Sequence, residues 1–273
     1  MTRTNLPDVE EITRLPVAPG AGMRLLWRLD DPTTSAAEIG SIVEADPALS
    51  MQVIRLANTA FYGLSRQVGS AWRAVTVLGL ATVRALATSA AFDLFAEKGR
   101  AVPEGFWRHS VTTAASASVV ARRVGVPPND AFSTGLLLDI GAALMFRRAR
   151  HHYDLVLARV AREECTLVEA EEDELGTTHA EIGALVLESM RFPPAVVEAV
   201  EHHHTPFGTG RNRLALVAAL AEVLAREVMR TPPEADVEVR DVLGALGLGV
   251  GDLAFLRGEV AVETEALAGF LTL

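Results

Sequence analysis

Residues 46–64 read DPALSMQVIRLANTAFYGL. Asp46 followed by Pro47 puts an acceptor side chain at an N-cap and a proline at the first helical position, where its missing N–H costs nothing. The apolar residues behind them predict a helix over 47–58. Asn58 stands at the end of that helix, where its amide is expected to satisfy backbone groups. Phe61 and Tyr62 are expected to pack across a seam between two helical subdomains, with ligand binding as the alternative.

The same helical signals continue in both directions. Ser35 with Glu38, Thr166 with Glu169 and Thr178 with Glu181 each have the spacing of a capping box. Pro103 and the pair Pro193-Pro194 mark two further starts. Helices are predicted near 20–30, 35–45, 47–58, 70–78, 79–96, 103–124 and 129–149, then near 152–164, 166–175, 178–191, 193–204, 212–230 and 250–271. No alternating strand pattern appears, so the expected class is all-α. The polar segment Glu97 to Pro103 and the Pro-containing segment Thr231 to Asp236 suggest three parts: an N-terminal helical subdomain over 1–97, a second helical subdomain over 98–230, and a C-terminal helical tail over 231–273.

Composition agrees. Hydrophobic residues make up 49% of the 273 and aromatics only 5%, so the core is aliphatic, built from the residues that lose least on entering a helix. The formal charge of −10 disfavours general nucleic-acid binding, which needs an excess of Lys and Arg. Cys165 is the only cysteine, which fits a reducing compartment. Met1 to Glu11 is polar where a leader would carry its apolar run, and Ala85 to Ala96 is interrupted by Asp93, so a cytoplasmic protein without a membrane span is expected.

Histidines and carboxylates recur at the helix signals: His109 in Phe106-Trp107-Arg108-His109-Ser110, Asp139 in the run Gly135 to Gly141, His179 behind Thr178, His202-His203-His204, and Glu222. Imidazole nitrogens and carboxylate oxygens from separate helices suit a divalent metal, which can acidify a bound water for phosphoester cleavage.

The order of these segments resembles the HD superfamily of metal-dependent phosphohydrolases. Within it, Asp46-Pro47-Ala48-Leu49, the stretch Leu49 to Leu64, Val77-Leu78-Gly79-Leu80, Trp107-Arg108-His109-Ser110 and Gly135-Leu136-Leu137 are similar to the HDOD family, the HD-related output domains of bacterial signalling proteins. The resemblance covers roughly Leu15 to Ala225 and implies an HD-like helical bundle. His109 matches the family's first histidine and Asp139 the Asp of the His-Asp doublet. His179, His203 and His204 match the later histidines of two-metal members, and Glu222 stands where an Asp is usual. Leu138 replaces the doublet histidine, and Leu cannot coordinate an ion.

The resemblance therefore implies a degenerate site and a protein that is not an enzyme. It points to a regulatory signal-transduction or scaffold module working through partners such as histidine kinases, response regulators or cyclic-di-GMP enzymes. No receiver, kinase or cyclase domain is recognised, so such a partner is expected to act in trans. No cofactor is expected beyond a weakly held divalent metal at His109, Asp139, His179, His203, His204 and Glu222. Two other readings stay open: a phosphohydrolase with a reduced site, and a cyclic-dinucleotide sensor using the old catalytic cleft.

Simpler roles compete for the same residues. His109 can be an interior hydrogen-bonded histidine, and Asp139 can be paired with His109 or His203 without a metal. His202 is expected in solvent at a helix end. Arg147, Arg148, Arg150, His151 and His152 form a basic run that reads as a solvated helix cap or as a phosphate contact. Glu169 to Glu174 reads as an exposed acidic face.

Overall fold

Helix starts follow their caps. The side chains of Ser35, Thr166 and Thr178 accept from the backbone N–H of Glu38, Glu169 and Glu181, and each glutamate bonds back to its cap. Asp46 accepts from Leu49 N at 3.0 Å, with Pro47 leading the helix. The structure, a computed structural model, describes residues 9–14, 20–31, 33–64, 67–95, 102–205, 212–232, 234 and 237–271.

In chain order the helices are α1 Val9–Thr13, α2 Ala21–Leu29, α3 Ala36–Glu44, α4 Pro47–Ala57, α5 Ala71–Ala91, α6 Phe106–Val124, α7 Pro128–Leu137 and α8 Ile140–Arg148. They continue with α9 Arg150–Ala161, α10 Leu167–Leu175, α11 His179–Ser189, α12 Pro194–His202, α13 Arg213–Met229, α14 Val239–Leu246, α15 Asp252–Ala266 and α16 Ala268–Leu271. A 3₁₀ turn, Ala60–Tyr62, follows α4. Among the described residues no strand occurs, and the class is all-α as expected.

Helix α5 packs against α2, α3 and α4 and also against α7. Helix α6 is the axis of the second half, touching α7, α13 and α15, while α11 lies between α8 and α12. One apolar cluster runs from Ile12 through Leu49, Leu86 and Phe132 to Val200, so both halves share a core. A second cluster joins α6 and α13 to Val242, Leu243 and Leu246 of α14 and Leu256 and Val260 of α15.

Asn58 donates to Ile54 O at 3.0 Å and Val68 O at 2.6 Å and accepts from Val68 N at 2.9 Å, so its role is the backbone one. The Phe61 and Tyr62 rings pack on Phe132 of α7, at centroid distances of 5.0 and 6.2 Å, which bridges the two halves.

Several expectations change. The helix expected over 129–149 is two, broken at Leu138 and Asp139, where the backbone at Asp139 turns to φ −99°, ψ 19°. The helix expected from Pro103 starts at Phe106, behind Gly105 at φ +79°. The helices expected over 70–78 and 79–96 do part at Gly79, whose backbone is non-helical at φ +75°, ψ 164° within α5, but the second ends at Ala91. The C-terminal part gains α14, and the helix expected over 250–271 breaks at Leu267. Arg55 donates to Gly269 O and Phe270 O at 3.1 Å each, tying α16 to α4. The expected break over Glu97 to Ala101, and Pro233, Ala235 and Asp236 of the second polar segment, lie outside the described residues.

The basic run is tied within the chain. Arg147 binds Asp93, Arg148 donates to Glu11 O and Ile12 O at 3.0 and 2.6 Å, and Arg150 pairs with Asp154. One helix, Ala71–Ala91, is long and apolar enough to cross a membrane, but most of its apolar stretch is buried among its neighbours.

Candidate functional site

Six side chains from five places in the fold meet at one polar cluster. His109 comes from α6, Asp139 from the α7–α8 break, His179 from the first position of α11, His203 and His204 from the end of α12, and Glu222 from α13. All six side chains are buried. The approach of α8 to α11 depends on glycine: a Cβ on Gly141 would collide with the His179 carbonyl oxygen and lie 2.8 Å from Gly183 N and from His179 C. That contact sets His179 beside Asp139.

Asp139 is the hinge between two groups of donors. Its Oδ2 lies 3.0 Å from His109 Nε2, and Glu222 Oε2 lies 2.9 Å from the same nitrogen. Its Oδ1 faces the other way, 3.7 Å from His179 Nε2 and 3.6 Å from His203 Nε2. His179 Nε2 is itself 3.3 Å from His203 Nε2 and 3.0 Å from His204 Nε2. His202 is left outside, beside Glu201, as expected.

The ring tautomers follow from the outer partners. His203 Nδ1 lies 2.6 Å from Val200 O, a carbonyl that can only accept, so Nδ1 carries the proton. His179 Nδ1 lies 2.7 Å from Glu171 Oε2, which also accepts from His179 N at 2.8 Å, while Tyr153 donates to Glu171 Oε1 at 2.9 Å. Both rings then turn an Nε2 lone pair toward the same point, an arrangement that needs a shared cation or proton to be stable. Asp139 Oδ1 is buried there without a hydrogen-bond partner. A carboxylate holding the far nitrogen of an inward-facing histidine is the usual outer support of a metal ligand, and three imidazoles with one carboxylate suit a divalent transition ion.

Charges follow the contacts. Burial disfavours the charged form of His109, but Glu222 and Asp139 outweigh it and raise its pKa to about 9. Burial likewise works against ionised Asp139 and Glu222, yet contact with His109 holds both below the usual carboxylate range. Burial and the neighbouring His203 and His179 push His204 well down, so it is a neutral ring. For His179 burial is outweighed by Glu171, and its pKa is raised.

Leu138 packs among Ala199 of α12 and Ala215 and Ala218 of α13. Ala199 and Ala218 each precede a cluster residue, His203 and Glu222, by one helical turn, so Leu138 forms an apolar floor under the cluster.

Residues missed in the sequence complete the site. Glu171, expected on an exposed acidic face, is fully buried behind His179. Its signal was there, since Leu167, Glu171 and Leu175 recur at intervals of four and are all buried on one stripe. Arg226 lies one turn beyond Glu222 and donates from Nε to Glu222 Oε1 at 2.9 Å. Its Nη2 pairs with Glu234 Oε1. Glu234 Oε2 lies 3.1 Å from His204 Nε2 and 3.8 Å from His179 Nε2; nothing in the segment around it marks it as a site residue. A cavity of about 270 Å³, walled by apolar residues such as Phe106, Leu157 and Met229, leads to His109, Asp139 and His179. A second, of about 250 Å³, reaches His204 and Glu222, and both share Arg226 and Glu234.

The HDOD domain family model matches residues 15–206. Among solved structures, a proposed phosphohydrolase of Shewanella amazonensis superposes with TM-score 0.72 at 27% identity, covering 96% of each chain. An HDOD domain protein of unknown function from Geobacter sulfurreducens gives TM-score 0.61 at 23% identity over 94% of this chain and 99% of its own. A proposed signal-transduction protein of Marinobacter aquaeolei gives 0.74 at 24%, over 99% of this chain and 63% of its own. A curated relative, an uncharacterized protein of Treponema pallidum, is 22% identical over 200 residues. The match covers 71% of this chain but only 38% of that relative's length.

Proposed function

The chain belongs to the HDOD domain family, and from that premise we propose that it is a non-catalytic signal-transduction module that holds one divalent cation and acts through protein partners. The observation that carries this reading is the asymmetry of the cluster. On one side, ring nitrogens of His179, His203 and His204 converge, with Asp139 Oδ1 3.7 and 3.6 Å from Nε2 of His179 and His203. On the other, His109, Asp139 and Glu234 also come within reach of one another, but Leu138 offers no donor there and His109 is held between Asp139 and Glu222. Two-metal phosphoester cleavage uses a pair of ions to hold the attacking and leaving oxygens. Here the donors for one ion are supported, while an internal ion pair takes the place of the other. A bound ion supplies a fixed positive charge that ties α8, α11 and α12 together.

Cytoplasmic histidine kinases, response regulators and cyclic-di-GMP enzymes are the partner classes we favour. The signal-transduction description of the Marinobacter protein supports that context.

The test is metal content after incubation with Zn, Mn, Fe or Mg and desalting, alongside a phosphodiester turnover assay. One ion per chain, lost in Asp139→Ala, with no turnover is the expected result. Turnover that disappears in Asp139→Ala would instead establish a phosphohydrolase with a reduced site. That second reading is favoured by the cavity leading to Asp139 and by the proposed activity of the Shewanella protein. A cyclic-dinucleotide sensor is the third reading, with the two adjoining cavities of about 270 and 250 Å³ beside Arg226 as the place for the ligand. Saturable heat on titration with the dinucleotide would support that reading.

A further inference from the structure

Glu234 pairs with Arg226 through one carboxylate oxygen and leaves the other facing the histidine cluster. Asp139, Glu222 and Glu234 all face the histidine cluster, and Glu171 stands behind His179. Arg226 is the guanidinium in contact with these carboxylates, with Arg230 further out on the second cavity and His109 between Asp139 and Glu222, and the Arg226 Nε is already engaged by Glu222. Glu234 reaches Arg226 with Oε1 only. Its Oε2 is buried and makes no well-aligned hydrogen bond, though His204 Nε2 stands 3.1 Å away, and Asp139 Oδ1 is buried without a hydrogen-bond partner. The two oxygens border the same ring nitrogens: Asp139 Oδ1 is 3.7 Å and Glu234 Oε2 3.8 Å from His179 Nε2. Buried carboxylate oxygens without donors are costly unless paired or bound to a metal.

We propose that Glu234 is a metal ligand supplied by the C-terminal segment, adding a donor to a site in which Leu138 offers none, so that metal occupancy and docking of that segment are one coupled event. This rests on the single-ion reading above. The coupling has a short path: Val168 N donates to Glu234 O at 3.3 Å, and five residues further on begins α14, whose Val242, Leu243 and Leu246 are buried on the second core. By linkage, whatever factor the docked segment adds to metal affinity, the metal adds to docking.

The experiment titrates Mn²⁺ into the full chain by calorimetry for wild type, Glu234→Gln and Glu234→Asp. Hydrogen exchange over α14 is followed with and without Mn²⁺. Wild type is expected to bind one ion and to gain protection in α14. Glu234→Gln is expected to lose on the order of 10- to 100-fold in affinity, the range seen when even a supporting residue of a metal site is removed, and to show no metal-dependent protection. Glu234→Asp, which keeps the carboxylate, is expected to fall between them and guards against misfolding of the Gln variant. If wild type binds Mn²⁺ and Glu234→Gln binds it equally well, Glu234 is only the ion-pair partner of Arg226 and this inference fails alone. If wild type binds no Mn²⁺, the single-ion reading fails and takes the inference with it.

Discussion

Gly141→Ala tests how the cluster is assembled. An ideal Cβ at Gly141 would stand 2.8 Å from both Gly183 N and His179 C, and closer still to the His179 carbonyl oxygen. Ordinary contact begins at 3.4 Å, so α8 and α11 must separate by roughly 0.6 Å or more. Every atom struck is backbone, so no side chain can rotate away. Overpacking of this kind costs about 1–3 kcal/mol, and the absence of a yielding neighbour places this case at the upper end. For a chain of this size, ~3 kcal/mol lowers Tm by about 6–12 °C. The shift also carries His179 off Asp139, so metal retention should fall with stability. The assay is thermal unfolding with and without metal, beside Gly258→Ala in α15, where the added Cβ meets nothing within 4 Å. That control should be neutral or stabilising by about 0.4–1 kcal/mol. A Gly141→Ala protein with wild-type Tm and metal content would refute the claim that this crossing positions the cluster.

Three further outcomes are expected. Glu171→Gln should release the tautomer of His179 and lower metal affinity by ~10- to 100-fold, read by calorimetry; unchanged affinity would leave Glu171 a purely structural acid. Asn58→Ala removes partners from Ile54 O, Val68 O and Val68 N and should cost about 1–3 kcal/mol in urea unfolding, with a change below ~0.5 kcal/mol counting against it. In chelator-treated protein, His109 has a folded pKa of about 9 against an ordinary 6.5. Its stabilising contribution is therefore complete below the lower value and is lost as pH rises through the higher one. Asp139 and Glu222, held below their usual range, contribute above about pH 4 and lose their effect as pH falls further. Tm should decline from pH 7 to 10, and His109→Gln should flatten that decline.

The sequence alone determined the class and most of the helix starts, because those signals close within one turn. Ser35, Asp46, Thr166 and Thr178 find their partners three residues away. It also marked His109, Asp139, His179, His203, His204 and Glu222 as a set, through their order and family segments. Only the tertiary structure decided what joins them. Glu171 lay hidden in an acidic run, Arg226 in a helix rich in alanine, and Glu234 in a segment read as a linker. The break at Leu138 and Asp139 falls within an apolar run that reads as continuous helix. Such features depend on contacts between residues as far apart as His109 and Glu222. Helical periodicity says which face a residue occupies but not which distant helix meets it. The close approach of Gly141 to His179 fixes one such meeting, and it exists only once α8 and α11 have packed.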